Sequence, residues 1–145
     1  MSGRGCGGNL IIKTVSGFLI PFIQLFALYL AAHGDLGPGG GFQGGTIFAA
    51  SLILYAIVFG LDEGREKVYE KAAGVMAAAG VLVFGGIGLL CMAAGGSFLQ
   101  YSALLPGDVK TAYHLGIYGV EIGVGLAVAG ALLLLFMKTA GSRDD

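Results

Sequence analysis

The chain has 145 residues, of which 56% are hydrophobic and only 12% charged, with a formal net charge of −1. Its mean hydropathy is +0.84, which excludes an ordinary soluble domain, because a chain this small cannot hide so much apolar surface inside itself. The near-zero charge leaves no electrostatic footprint for nucleic acid. A lipid bilayer is the expected solvent. The expected fold is an all-α membrane protein with four transmembrane helices: a flexible tail at 1–9, a four-helix domain at 10–138 and a short tail at 139–145.

The glycine-rich tail from Met1 to Asn9 favours a flexible chain. The first span runs from about Thr14 to Ala32. At 1.5 Å rise per residue, about 20 apolar residues cross a hydrocarbon core of about 30 Å. Pro21 lies inside it, where a missing backbone donor tends to kink a helix. Lys13 and Gln24 are eleven residues apart and return to nearly the same helical face. Either Lys13 snorkels to the headgroups while Gln24 packs against a helix, or both belong to a polar path. The span has a basic flank, as a signal peptide would. Its length, Pro21 and Gln24, and the lack of a small-x-small cleavage site, favour a retained anchor.

The stretch from Gly37 to Gly45 holds six glycines in nine residues. Gly39, Gly41 and Gly44 formally match G-x-G-x-x-G, but no strand precedes them and no βαβ unit surrounds them, so a dinucleotide site is excluded. The better reading is mechanical. Pro38 sets a turn, and Gly39, Gly40, Gly41, Gly44 and Gly45 give a surface without side chains that another backbone can approach closely. Gln43 is placed to bond exposed backbone, and Phe42 opens the second span, which runs to about Leu61. His33, just before this stretch, reads as a loop residue.

From Asp62 to Lys71 the signs of charge mix, and Glu63 and Lys67 have the i, i+4 spacing of a helical ion pair. This reads as a solvated helix extension or a docking surface for a soluble partner. The third span, about Ala72 to Ala94, carries Gly74, Gly80, Gly85, Gly86 and Gly88. Small residues let helices approach closely in lipid, where packing drives association. Gly95-Gly96 and Pro106-Gly107 bound an outer loop in which Tyr101 can serve as an interface anchor.

The fourth span, about Thr111 to Met137, contains the one acid inside a hydrophobic segment, Glu121. It lies roughly 15 Å deep by helical rise. Left ionised in lipid it would cost at least about 3 kcal/mol, so it must face protein or water, or be protonated. It is either part of an ion or proton route or a structural hydrogen-bond or ion-pair partner. His114 is seven residues earlier, on almost the same face and about 10 Å nearer the outside. Gly119 and Gly123 line a nearly opposite face. Tight packing on one face and a presented carboxylate on the other are expected.

Arg4, Lys13, Arg65, Lys67, Lys71, Lys138 and Arg143 fall on one side of such a bundle and only Lys110 on the other. The positive-inside rule then makes both termini cytoplasmic. Cys6 and Cys91 would sit on opposite sides and cannot pair, and neither has metal-ligand spacing. No nucleophile–base pair, metal cluster or cofactor motif supports an enzyme.

The run Pro38-Gly39-Gly40-Gly41-Phe42-Gln43-Gly44-Gly45, followed by Thr46-Ile47-Phe48-Ala49-Ala50-Ser51 and later by Val120-Glu121-Ile122-Gly123-Val124-Gly125, resembles the MnhB/MrpB family. These are B-type subunits of Mrp multisubunit Na⁺/H⁺ antiporters, with relatives in membrane-bound hydrogenase and sulfur-reducing complexes. The resemblance covers about Ile11 to Leu135. It implies a multi-pass subunit of a prokaryotic cell membrane, without a cofactor, whose partners are other membrane subunits, the bilayer, and Na⁺ and H⁺ as transported ions. Antiporter B subunits often have aspartate where Glu121 stands, which draws this chain towards the complex-associated branch. On this reading Glu121, His114, Lys13 and Gln24 are the ion-path candidates, and groups from neighbouring subunits complete the relay. The alternatives are a purely architectural subunit with no direct ion path, and a small homo-oligomeric channel.

Overall fold

A computed structural model describes residues 6–34, 39–60, 63–105 and 107–141. Pro38 and the side chain of Glu63 lie outside this set. Four long helices account for nearly all of it: α1 (Cys6–Ala32), α2 (Gly41–Phe59), α3 (Glu63–Ala93) and α4 (Val109–Gly141), with a single 3₁₀ turn at Tyr101–Ala103 before α4. Each is long and apolar enough to cross a bilayer. Helix α1 begins inside the stretch read as a tail and runs unbroken through Pro21. Helix α3 begins nine residues before the apolar stretch, so the charged segment is indeed a helix extension.

The helices form a layer in the order α1, α2, α4, α3, with α2 and α4 side by side in the middle. Small residues make this possible. A Cβ on Gly44 would lie 2.7 Å from the Ala27 carbonyl oxygen and 2.9 Å from the Ala31 Cβ, so α1 and α2 touch through a glycine-alanine contact. Gly45 meets the backbone of Gly125, with Gly125 Cα 3.0 Å from where its Cβ would be. Gly123 meets Gly80 and Phe84 of α3 at 3.0 Å, and Gly130 meets Ala73 and Ala77. In lipid, where apolar burial drives little, such close backbone contact is the main source of helix affinity.

Between α2, α3 and α4 lies a small core of Ala49, Ala73, Ala129 and Leu133. Less than three-tenths of any span is buried within the chain. The apolar side chains mostly point outward, as only a bilayer or other subunits allow. Phe18, Phe22, Phe26 and Tyr29 form such an outward face along α1. At the opposite end of the layer from the glycine run, Lys138 pairs with Glu70 across α3 and α4.

Candidate functional site

The site is built from the two features that stand out in the sequence. Helix α2 starts at Gly41, and Gly40 before it adopts φ 103°, a left-handed conformation that favours glycine. The Gly40 amide donates to the Leu30 carbonyl (3.1 Å), which folds the α1–α2 connection back onto α1. Gly44 then donates to the Gly40 carbonyl (3.0 Å), closing the first turn of α2. As at any helix start, the earliest amides of α2 have no carbonyl partner within the helix, and they carry the positive end of its dipole.

Glu121 of α4 lies against this end. A Cβ on Gly34 would coincide with its carboxylate, and a Cβ on Gly41 would coincide with its backbone carbonyl. A Cβ on Gly40 would come within 3.1 Å of Glu121 Oε1. Carboxylate oxygen Oε2 is buried. Three glycines therefore leave space that the acid occupies. Nearby, Tyr118 donates from its hydroxyl to the Ala32 carbonyl (3.4 Å), tying α4 to the last turn of α1.

The other expected residues sit elsewhere. His114 is exposed, two turns along α4 from Glu121. Lys13 is exposed near the opposite end of α1, and Gln24 is half-buried in the middle of that helix. Phe42 and Gln43 are exposed, while Gly44 and Gly45 are buried against α1 and α4. Gly119 and Gly123 do face α3, as their spacing suggests. The carboxylate face, however, is not an open one: Glu121, Gly125 and Ala129 form a second packed stripe towards Gly41, Gly45 and Ala49. The i, i+4 run of small residues in each helix was the readable signal for that stripe. The partnership between Glu121 and Gly34 had no signal in spacing.

Two hollows lie along α4, and Glu121 lines one of them. One, of about 220 Å³, lies beside Gly44, Gly45, Phe48, Leu126 and Ala129, with Glu121 as its charged member. The other, of about 520 Å³, lies along the first turns of α4 beside Lys110, Tyr113, His114 and Ile117. Among the described residues no group of three His, Cys, Asp or Glu side chains comes together to hold a metal ion.

Helix number, glycine apex and membrane acid now coincide with a sequence match. Residues 11–134 match the family described as a domain related to the MnhB subunit of Na⁺/H⁺ antiporter. The chain belongs to this MnhB family. Proteins named "Putative antiporter subunit mnhB2" from Staphylococcus aureus strains Newman, JH1 and COL are each 26% identical to it over 138 residues, 94% of this chain and 97% of theirs. This MnhB-family chain is thus a multi-pass protein of a prokaryotic cell membrane. The glycine apex and Glu121 both fall inside the matched range.

Proposed function

We propose that this chain is a small, non-catalytic membrane subunit of an Mrp-type Na⁺/H⁺ antiporter, with both termini in the cytoplasm, and that Glu121 handles protons or cations where the chain meets larger subunits. The observation that carries the reading is the seat of the acid: a carboxylate within a transmembrane helix, held against the bare N-terminal end of another. Ionisation in lipid costs at least about 3 kcal/mol. A helix N-terminus returns about 0.3–1 kcal/mol, and up to about 2 in a partly buried geometry. The two are close enough that an arriving cation or proton decides the charge state. One carboxylate cannot couple two ions, since antiport needs alternating access and further titratable groups. The rest of the relay belongs to partner subunits. Within this chain His114 is the nearest further candidate, Lys13 serves as a headgroup anchor, and Gln24 as an interhelical hydrogen-bonding group.

Glu121→Gln in the intact assembly is the test. Loss of Na⁺-dependent proton transport with normal assembly is expected, and wild-type transport in a fully assembled variant would refute the path. The architectural reading is favoured by a different observation: Gly74, Gly85 and Gly86 face open space on α3. If that surface only holds neighbours in register, leucine at Gly85 or Gly86 disrupts assembly while Glu121→Gln leaves coupling intact. Co-purification of the native complex distinguishes the parent assemblies: a stand-alone antiporter brings membrane subunits alone, a hydrogenase or other redox-linked complex brings electron-transfer subunits as well, and a homo-oligomeric channel brings neither.

A further inference from the structure

We propose that the outward face of α3 binds an anionic phospholipid, its phosphate held between Lys67 and Lys71 and one acyl chain laid along the helix from Val75 to Gly85.

Helix α3 forms one edge of the layer, and among the described residues it packs only on α4 and the 3₁₀ turn. Ala73, Ala77 and Gly80 face α4, so the opposite side of the helix is turned away from the chain. Along that side Lys67, Lys71, Val75, Ala78, Leu82 and Gly85 follow at steps of four, four, three, four and three residues, which keeps them on one face. Lys67, Lys71 and Ala78 are exposed. Val75 is 69% exposed and Leu82 74%, and nothing lies within 4 Å of a Cβ built on Gly85. The face is bare, and it has two parts, cationic and then apolar.

The change from one part to the other falls where a lipid leaflet begins. Glu70 pairs with Lys138 of α4, which brings the polar ends of two neighbouring helices to one height, that of the headgroups. Lys67 and Lys71 lie on either side of Glu70 in the sequence. From Val75 to Gly85 is ten residues, or about 15 Å, which is half of a hydrocarbon core of about 30 Å. Over this length the face carries no polar side chain for a protein partner to read. Ala78 and Gly85 leave room on either side of Leu82 for a hydrocarbon chain to lie close against the helix.

Charge selects the headgroup. The segment 62–71 is close to neutral as a whole, with Asp62, Glu63, Glu66 and Glu70 against Arg65, Lys67 and Lys71, so it does not attract as a polybasic tract would. Placement makes the difference. Lys138 takes up Glu70 across α3 and α4, while Lys67 and Lys71 stand one turn apart on the outward face. Like charges at i, i+4 repel. A phosphate set between the two ammonium groups replaces that repulsion with two charge-assisted hydrogen bonds. The headgroup that fits is a phosphodiester without a compensating amine, and each lysine strengthens its binding about fivefold.

The test titrates the full chain, in neutral detergent micelles, with phosphatidylglycerol and counts bound lipid by native mass spectrometry. The double variant Lys67→Gln, Lys71→Gln is expected to bind about thirtyfold more weakly. Phosphatidylcholine should bind the unchanged chain no better than phosphatidylglycerol binds that variant. Lys110→Gln, at the far end of α4, should bind as tightly as the unchanged chain. Equal affinity for the two lipids, no loss in the double variant, or the same loss in Lys110→Gln overturns the proposal. A second measurement uses phosphatidylglycerol with a photoreactive acyl chain, incorporated into membranes that hold the assembled complex. Crosslinks to this chain are expected at 75–85. Their absence, with other parts of the complex labelled, also overturns the proposal, because a neighbouring subunit then covers the face as the architectural reading of α3 requires. Neither readout involves transport, so both stand apart from the role given to Glu121.

Discussion

Gly45→Ala is the most direct test of how the chain holds its acid in place. The backbone at Gly45 sits so close to α4 that a new Cβ would lie 3.0 Å from Gly125 Cα and 3.1 Å from its carbonyl carbon, and closer still to the carbonyl oxygen. All three are backbone atoms and no side-chain rotation can relieve the overlap. Carbon atoms in contact settle at about 3.5–4.0 Å, so the helices must part by roughly 0.5–1 Å. Overpacking of this kind costs about 1–3 kcal/mol. Against it stands the better helix propensity of alanine, about 0.8–1 kcal/mol. A net loss of up to about 2 kcal/mol is expected, at most about a thirtyfold fall in the folded-to-unfolded ratio. Unfolding of the purified chain in mixed detergent micelles, followed by helical circular dichroism, measures it. Gly74→Ala is the control, because nothing lies within 4 Å of a Cβ there, and the propensity gain should then stand alone. If both variants unfold at the same detergent fraction, the claim that α2 and α4 are joined backbone to backbone is wrong.

Three further predictions concern the ends of the bundle. Asp108 caps α4: Thr111 donates to it from its amide (3.2 Å) and from its hydroxyl (2.6 Å). The hydrogen bonds from the Thr111 side chain, then from its amide, hold the Asp108 carboxyl below its ordinary value, with burial opposing them. A depressed folded value means that this support is present above the unfolded value and is lost as pH falls through the folded one. Amide exchange at Thr111 and Ala112, measured against neighbouring amides, should therefore gain relative speed in acid, and Asp108→Ala should abolish the pH dependence. Lys138 and Glu70 form an ion pair with 68% and 36% of their side chains exposed. A double-mutant cycle should assign it no more than about 1 kcal/mol, falling with salt. At the apex, Gly34→Ala places a methyl where the Glu121 carboxylate lies, so antiport by the assembled complex should fall while α2–α4 packing, read by the same unfolding assay, changes little.

Four spans were legible because each is a continuous apolar run bounded by charge or glycine, and length alone then decides. The α3 extension was legible from charge spacing. Pairing among the helices was only half readable. Gly119 and Gly123 announced one packed face of α4, and Gly80 answers it on α3. The second face, through Gly125 and Ala129, was hidden because Glu121 stands at its head and a charge suggests an exposed stripe. Gly74, Gly80 and Gly85 look alike in the sequence, yet only Gly80 meets another helix within the chain. Composition cannot distinguish a glycine used inside a subunit from one turned outward. That difference depends on the rotation of α3 about its own axis, which is set by α4.

The parallel run of α2 and α4 explains why the acid and the glycines belong together. In a parallel pair the N-terminal end of one helix falls beside a chosen turn of the other, and the contacts then repeat every four residues. Gly41 meets Glu121, Gly45 meets Gly125, and Ala49 packs in one core with Ala129. The same ladder that fixes the two helices fixes the height at which the α2 N-terminus meets the carboxylate. A shift of one rung, about 6 Å along the axis, would take the carboxylate away from the dipole end and set it against Gly45 and the alanines beyond, with no polar backbone to meet it. The small-residue ladder is therefore a positioning device for charge as well as a packing surface. It also accounts for the density of glycine at the apex. Gly34 and Gly40 flank the carboxylate, Gly41 flanks its backbone, and Gly44 and Gly45 let α1 and α4 close on either side of α2 at the height where the acid needs it.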